Sequence, residues 1–354
     1  MSHSDALQDR YPVLAAKLGK LPLGELPTPL READFNGAAG RRHILIKQDN
    51  LSGALYGGNK VRKLEYLLHT AQQKGCRCVA TFGTVGSHHA LATALYAREQ
   101  NLDCICFLSH QKRTSSVPGV LNALLQSGAK LVRFGGNYSE RIATLREHLH
   151  GRRVRVIPTG GTSWTGTVGF VNAGLELATQ LEERDRALPE RLYVATGTMG
   201  TAAGLALGLA LAGLPVEVHA VRVSDTSVTS EEGLRRLCRK TVMMMRRLDP
   251  AVPRGLERRV RLVLRHGFFA GGYAHSDDAT RNAIDTGAEQ FGVMLEPTYT
   301  GKAMAALLHD ATDASGGFES AVFWHSYHAR PLDVRRDAPL DESRLPPEFL
   351  TYFS

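Results

Sequence analysis

Three short segments carry residue types that could do chemistry. The first is Gly57-Gly58-Asn59-Lys60. Two glycines before a lysine let the backbone come close to a planar ligand. Lys60 opens KVRKLEYLLHTAQQKG, which reads as a helix with a glycine stop. A cation at a helix start opposes the dipole, whereas the free amides there favour an anion. A bound phosphate would reconcile the two. A surface lysine after a turn explains the segment almost as well.

The second segment is Ala195-Thr196-Gly197-Thr198-Met199-Gly200-Thr201, between a strand-like and a helix-like stretch. Such a turn offers backbone donors and hydroxyls to a phosphate. It lacks the Lys-Ser/Thr of a triphosphate-binding loop and the spaced glycines of a dinucleotide fingerprint. A structural turn is the plain alternative. The third is Gly83-Thr84-Val85-Gly86-Ser87-His88-His89. A serine beside a histidine suggests a hydrolase, but adjacent residues rarely face each other and there is no G-x-S-x-G elbow. Neighbours on a helix point about 100° apart, so His88 and His89 are poorly placed to share a metal. His325 and His328 are better spaced but have no carboxylate or cysteine partner nearby, and no metal is expected.

The elements that must position these segments alternate. Strand-like HILIKQD, CVATFG, DCICFLS, KLVRFGG, RVRVIPTGG, RLYVATG, VEVHAVRV and AVFWHS are separated by helix-like stretches. This rhythm predicts an α/β fold, with parallel sheets covered by helices on both faces and ligands beyond the carboxyl ends of strands. All three segments end a strand or open a helix, yet they lie far apart in sequence. If they serve one ligand, two domains and an intervening cleft are expected. The tract from Arg235 to Arg265 reads as amphipathic helices with a solvated basic face. The chain beyond Arg330 reads as a surface loop.

Bulk properties exclude several classes. The chain has 354 residues, 43% of them hydrophobic, enough for more than one core. Net charge is +8, but without aromatic–basic interleaving or a known module it does not argue for nucleic acid. No apolar run nears the roughly 20 residues of a membrane span, and MSHSDALQDRYPVL does not read as a signal peptide. The five cysteines include pairs one residue apart, Cys76/Cys78 and Cys104/Cys106. That is strand alternation, which fits a reducing cytoplasm.

Taken together and in this order, the segments resemble the D-cysteine desulfhydrase and 1-aminocyclopropane-1-carboxylate deaminase family, of the tryptophan-synthase-β type. The resemblance runs from LPTPL at Leu26 to about Ser326. GGNKVRKLEYLL is its most specific stretch, joined by IPTGGTSWTGTVGFVNAGLELATQL, ATGTMGTAAGLALG and EPTYTGKAMAAL. It implies pyridoxal 5'-phosphate in an interdomain cleft, a homodimer and a small amino-acid substrate. The larger domain is expected from residues 1–60 with 161–354, the smaller from 61–160.

The resemblance also implies roles. Lys60 would bond the cofactor as a Schiff base, with Asn59 beside it. Lys63 and Gly197, Thr198, Met199, Gly200 and Thr201 would hold the phosphate. Ser326 would face the pyridine nitrogen, and a neutral hydroxyl there leaves that nitrogen unprotonated. Ser87 would meet the substrate carboxylate or the reacting carbon, with Tyr273 and Tyr299 as further catalytic groups. His88, His89, Trp164 and Tyr327 would line the substrate. The chain departs from the family where Gly86-Ser87-His88-His89 replaces Gln-Ser-Asn-His, and where His325-Ser326-Tyr327-His328 replaces His-Thr-Gly-Gly. His88 thus stands beside the cofactor's phenolic oxygen, and two rings replace glycines at the pocket floor. The expected activity is a lyase or deaminase releasing ammonia and a 2-oxo acid, with altered substrate. A replacement transferase and a non-catalytic cofactor-binding protein are the alternatives.

Overall fold

The structure, a computed structural model, describes residues 5–314, 317–328 and 342–353. Residues 329–341, where the C-terminal loop is expected to begin, lie outside the described residues. Contacts group the chain into two units: 5–19, 24–63 and 163–328, and 20–23, 64–162 and 342–353.

The strands are β1 (Leu30–Gly37), β2 (Gly40–Lys47), β3 (Cys78–Thr84), β4 (Asp103–Ser109), β5 (Lys130–Arg133), β6 (Val154–Ile157), β7 (Arg191–Thr196), β8 (Glu217–Arg222), β9 (Leu262–Arg265) and β10 (Ser320–Trp324). The helices are α1 (Ala6–Arg10), α2 (Pro12–Leu18), α3 (Lys60–Gln73), α4 (His88–Glu99), α5 (Val117–Gln126), α6 (Tyr138–Leu149), α7 (Trp164–Glu182), α8 (Gly200–Leu211), α9 (Glu231–Leu248), α10 (Asp278–Phe291) and α11 (Thr300–Thr312).

The first unit has the sheet order β1-β2-β10-β7-β8-β9. All neighbours run parallel except the β1–β2 hairpin at one edge. The middle strands are buried on both faces, so they read as continuous apolar runs such as Ala321–Trp324. Helix α7 packs against both α3 and α8 through glycines. A Cβ on Gly169 would stand 2.1 Å from the Arg62 carbonyl, and one on Gly208 would stand 2.3 Å from that of Val171. These close approaches hold the start of α3, which carries Lys60, and the second half of α8 against α7.

The second unit is a fully parallel sheet ordered β5-β4-β3-β6. Its core packs Ile105, Phe107 and Val132 against Phe82 and Phe134. Residues 342–353 group with this unit, whereas the sequence reading placed the tail in the larger domain. Tyr352 explains the grouping, because its hydroxyl donates to the Gln111 carbonyl at 2.9 Å and accepts from the Gln111 amide at 3.2 Å.

The basic tract differs from its helical expectation at its end. Helix α9 stops at Leu248, and Leu262–Arg265 forms the edge strand β9. An edge strand half open to solvent tolerates arginines that also suit a helix face.

Candidate active site

Lys60 begins α3 immediately after a turn that depends on its glycines. Gly58 adopts φ +83°, and a Cβ there would meet the Ser326 carbonyl at 2.7 Å. A Cβ on Gly57 would lie 2.0 Å from the Asn50 carbonyl. The turn is tied down by Gly58 N to Asp49 O at 3.0 Å and Asn59 N to Ser326 O at 3.2 Å. Ser326 itself is buried.

Beneath α3 lies a buried ion cluster. Arg62 donates to Asp49 at 2.7 Å and to both oxygens of Glu176 at 2.8 and 2.9 Å. Lys47 adds a bond to Glu176 at 2.5 Å, and the Trp324 indole donates to Asp49 at 3.1 Å. Burial pushes the Glu176 carboxyl up, but Arg62 and Lys47 outweigh it and hold the group at about 2. Arg62 lies two residues beyond Lys60, on a different face of the helix. Anchoring one side chain below thus orients the other.

Tyr299 and the carboxylate of Glu296 lie beside Lys60. Its ammonium lies 6.0 Å from the centre of the Tyr299 ring. The Tyr273 and Tyr299 hydroxyls are 2.6 Å apart. Glu296 accepts from the amides of Thr298, Tyr299 and Thr300 at 2.8, 2.9 and 2.7 Å, so it caps α11 and fixes Tyr299 at the helix start. Lys302, one turn on and fully buried, donates to the Phe269 and Gly272 carbonyls at 2.7 and 3.0 Å. It braces the loop bearing Tyr273, in which Ala270 and Ala274 take φ +55° and +59°. Enclosure lowers the Lys60 pKa to about 8 against the opposing charge of Glu296. Burial, then Tyr273, raises that of Tyr299 well above the ordinary phenol value. Burial followed by Glu296 likewise raises Tyr327.

The Gly197–Thr201 loop joins this group. Asn59 Nδ2 donates to Thr201 Oγ1 at 3.2 Å, and a Cβ on Gly197 would stand 3.7 Å from the Tyr299 ring. Met199 takes φ +72° at the N-cap of α8 and places no side-chain cap on its first turn; Gly200 N donates to the Thr198 carbonyl at 3.0 Å, and the amides that follow it are suited to an anion. The Gly197 carbonyl is held from behind by Ser224 at 3.2 Å and by Thr229. Lys63 is buried with its ammonium 5.7 Å over the Phe170 ring; burial, then Lys60, lowers its pKa to about 7. A glycine-lined amide cradle, a desolvated lysine and a second lysine against an aromatic wall fit a phosphorylated, planar, aldehyde-bearing group.

The other expected residues are placed as follows. Trp164 is the first residue of α7. Ser87 is the N-cap of α4, its Oγ accepting from the Ala90 amide at 3.2 Å, and His88 is the first residue of that helix. His89 is buried, with Nε2 3.0 Å from Thr81 Oγ1. The His328 ring is buried and stacks on Tyr56, centroids 4.0 Å apart and 16° between planes. Sequence reading missed Asp49, Arg62, Glu176, Glu296 and Lys302. Arg62, Glu176, Glu296 and Lys302 lie inside the stretches that carry the resemblance and Asp49 ends HILIKQD, but nothing in their spacing distinguishes a brace from a surface charge.

Residues 21–326 match the family of pyridoxal-phosphate dependent enzymes, and the chain belongs to it. It is an enzyme that uses pyridoxal 5'-phosphate, with the tryptophan-synthase-β type of fold. Among curated relatives, it is 34% identical to nocardicin C-9' epimerase of Nocardia uniformis subsp. tsuyamanensis, over 95% of this chain and 98% of that one. It is 33% identical to D-cysteine desulfhydrase of Salmonella paratyphi A, over 82% and 87%. Among solved structures, an ACC deaminase homologue matches with TM-score 0.74 at 29% identity, covering 92% of this chain and 95% of that one.

Proposed function

We propose that the enzyme is a lyase or deaminase of a small amino acid that releases ammonia and a 2-oxo acid. Lys60 would hold the cofactor. The Gly197–Thr201 amides with Lys63 would take its phosphate, Asn59 would flank it, and Ser326 would face the ring nitrogen. The bound cofactor supplies an electron sink for negative charge at the substrate's α-carbon. Lys60 Nζ, with a pKa near 8, can exchange a proton close to neutral pH.

The observation that carries this reading is the Tyr273–Tyr299 pair, hydroxyls 2.6 Å apart. The Tyr299 phenol is pushed well above its ordinary value, by burial first and then Tyr273, and Tyr273, although exposed, is also raised, so the pair can donate a proton to a departing group or an opened ring carbon. Ser87 and His88 are proposed to meet the substrate carboxylate.

A second reading, epimerisation at the α-carbon, is favoured by the 34% identity to an epimerase over nearly the whole of both chains. One experiment separates the two. The holoenzyme is incubated in deuterated water with amino acids of both hands, including D-cysteine and 1-aminocyclopropane-1-carboxylate. Ammonia and a 2-oxo acid from a single amino acid support the lyase. Deuterium at the α-carbon with inverted chirality and no ammonia supports the epimerase. Only a product that requires a second amino acid would make it a replacement transferase.

A further inference from the structure

We propose that Tyr352 is a positioning residue for the turn that carries Ser87, so that the C-terminal segment forms part of the substrate side of the enzyme. This rests on the reading of Ser87 as a substrate contact. The connection runs through Gln111, which follows β4. Tyr352 is buried, and its hydroxyl is bonded to both the amide and the carbonyl of Gln111 at 3.2 and 2.9 Å. His110 Nδ1 lies 3.0 Å from the same hydroxyl. Phe349, fully buried, sits edge-on to the His110 ring with centroids 5.3 Å apart. The backbone at 110–111 is therefore gripped by a short turn, Pro347–Tyr352, from more than 200 residues further along the chain.

The Gln111 side chain passes this grip on. Its Oε1 accepts from Thr84 Oγ1, and a Cβ on Gly86 would stand 2.8 Å from its Nε2. Gly86 is thus the residue that lets the amide lie flat across the turn. The same turn is held by Val85 N to Ser109 O at 3.0 Å and Ser87 N to Thr84 O at 2.9 Å. It stands at the carboxyl ends of β3 and β4, where open parallel sheets bind ligands. Val85 is buried and Ser87 caps α4, but the link from this turn to the strand end beside it runs through Gln111, so its rigidity depends in part on what braces that residue.

The test uses holoenzyme in two measurements. Hydrogen exchange is compared between the wild type and Tyr352→Phe, which keeps the ring but loses the hydroxyl. Glycine, which carries only the amino and carboxylate groups shared by all α-amino acids, is titrated against the cofactor's visible absorbance. We expect the 84–88 amides to exchange about tenfold faster in Tyr352→Phe, those of 57–63 to be unchanged, and glycine to bind about three- to tenfold more weakly. Gln111→Ala should do the same, whereas Glu348→Gln, which loses only the exposed pair with Arg133 at 3.6 Å, should not. Unchanged exchange in Tyr352→Phe overturns the proposal. Faster exchange with unaltered glycine affinity overturns the positioning role and leaves a structural one. Ser87→Ala run alongside isolates the underlying reading: if it leaves glycine affinity intact, Ser87 is not a substrate contact and the substrate part of the proposal falls with it.

Discussion

Asn59 Nδ2 donates to Thr201 Oγ1 at 3.2 Å, joining the residue before Lys60 to the first turn of α8. Two segments separated by about 140 residues are thereby locked into one cradle. Replacing Asn59 with alanine removes that tie, and the bond its Oδ1 accepts from Lys60 Nζ, without disturbing either helix core. We expect cofactor affinity, measured by titrating apoenzyme, to fall about tenfold while the melting temperature of the apoenzyme holds. Unaltered affinity would show that the two loops are held in place by packing alone.

Lys60 and Lys63 compete for the covalent role, since both have lowered pKa values, about 8 and about 7. Geometry separates them: Lys60 faces Tyr299, whereas Lys63 lies over Phe170. Lys60→Ala should abolish turnover and shift the cofactor's visible absorbance to that of the free aldehyde, with the fold intact. Borohydride reduction of the holoenzyme followed by peptide mapping should place the label on Lys60. A label on Lys63 would reverse the assignment.

The ion cluster under α3 predicts a large stability effect. Glu176→Gln leaves Arg62 and Lys47 buried against a neutral partner, and losing one member of a buried pair costs about 3–5 kcal/mol. Denaturant unfolding of the apoenzyme should register this loss. A change under about 1 kcal/mol would mean that water reaches the cluster.

Much of this architecture is legible in the sequence where one physical signal dominates. DCICFLS reads as a strand because a parallel strand buried on both faces must be a continuous apolar run, and β4 has those bounds, Asp103–Ser109. Strand β1 carries no such signal. LREADFNG buries only Phe35 and owes its conformation to pairing with β2. In the basic tract, LVLR near 262–265 suits a helix face or an edge strand equally, and only pairing with β8 decides between them. At the site, the glycines and Lys60 stand out because backbone freedom and a lone cation are local features. The bond from Arg62 to Glu176 joins residues 114 apart, and no local pattern encodes it.

His325 supplies a pH-dependent stability. Its ring is buried, Nε2 donates to the Met294 carbonyl at 2.9 Å, and Nδ1 meets no partner among the described residues. Burial lowers its pKa to about 4 from 6.5. Between those values the unfolded chain holds the extra proton, so stability is full above pH 6.5 and is lost as pH falls toward 4. The difference amounts to about 3 kcal/mol at most. His325→Gln, which can still donate to Met294, should flatten this part of the unfolding free-energy profile relative to the wild type. Parallel profiles would place the acid sensitivity elsewhere.

The rings at 327 and 328 stand where the resembled family has glycines, and the structure gives them different surroundings. His328 is buried against Tyr56, face to face at 4.0 Å. Tyr327 is only half-buried, and its phenol pKa is raised by burial first and then by Glu296. Bulk inside a packed wall is paid for in stability; bulk that borders open space excludes ligand volume. His328→Gly should therefore lower the melting temperature, consistent with a loss of about 2–4 kcal/mol for an emptied aromatic stack, with little change in which amino acids are accepted. Tyr327→Gly should leave stability within about 1 kcal/mol and widen the range of amino acids that alter the cofactor's absorbance, bulkier side chains gaining most. The two variants are compared across the same panel of amino acids of both hands. If His328→Gly shifts the substrate range and Tyr327→Gly does not, the pocket floor is formed by the histidine and the stack on Tyr56 opens when substrate binds.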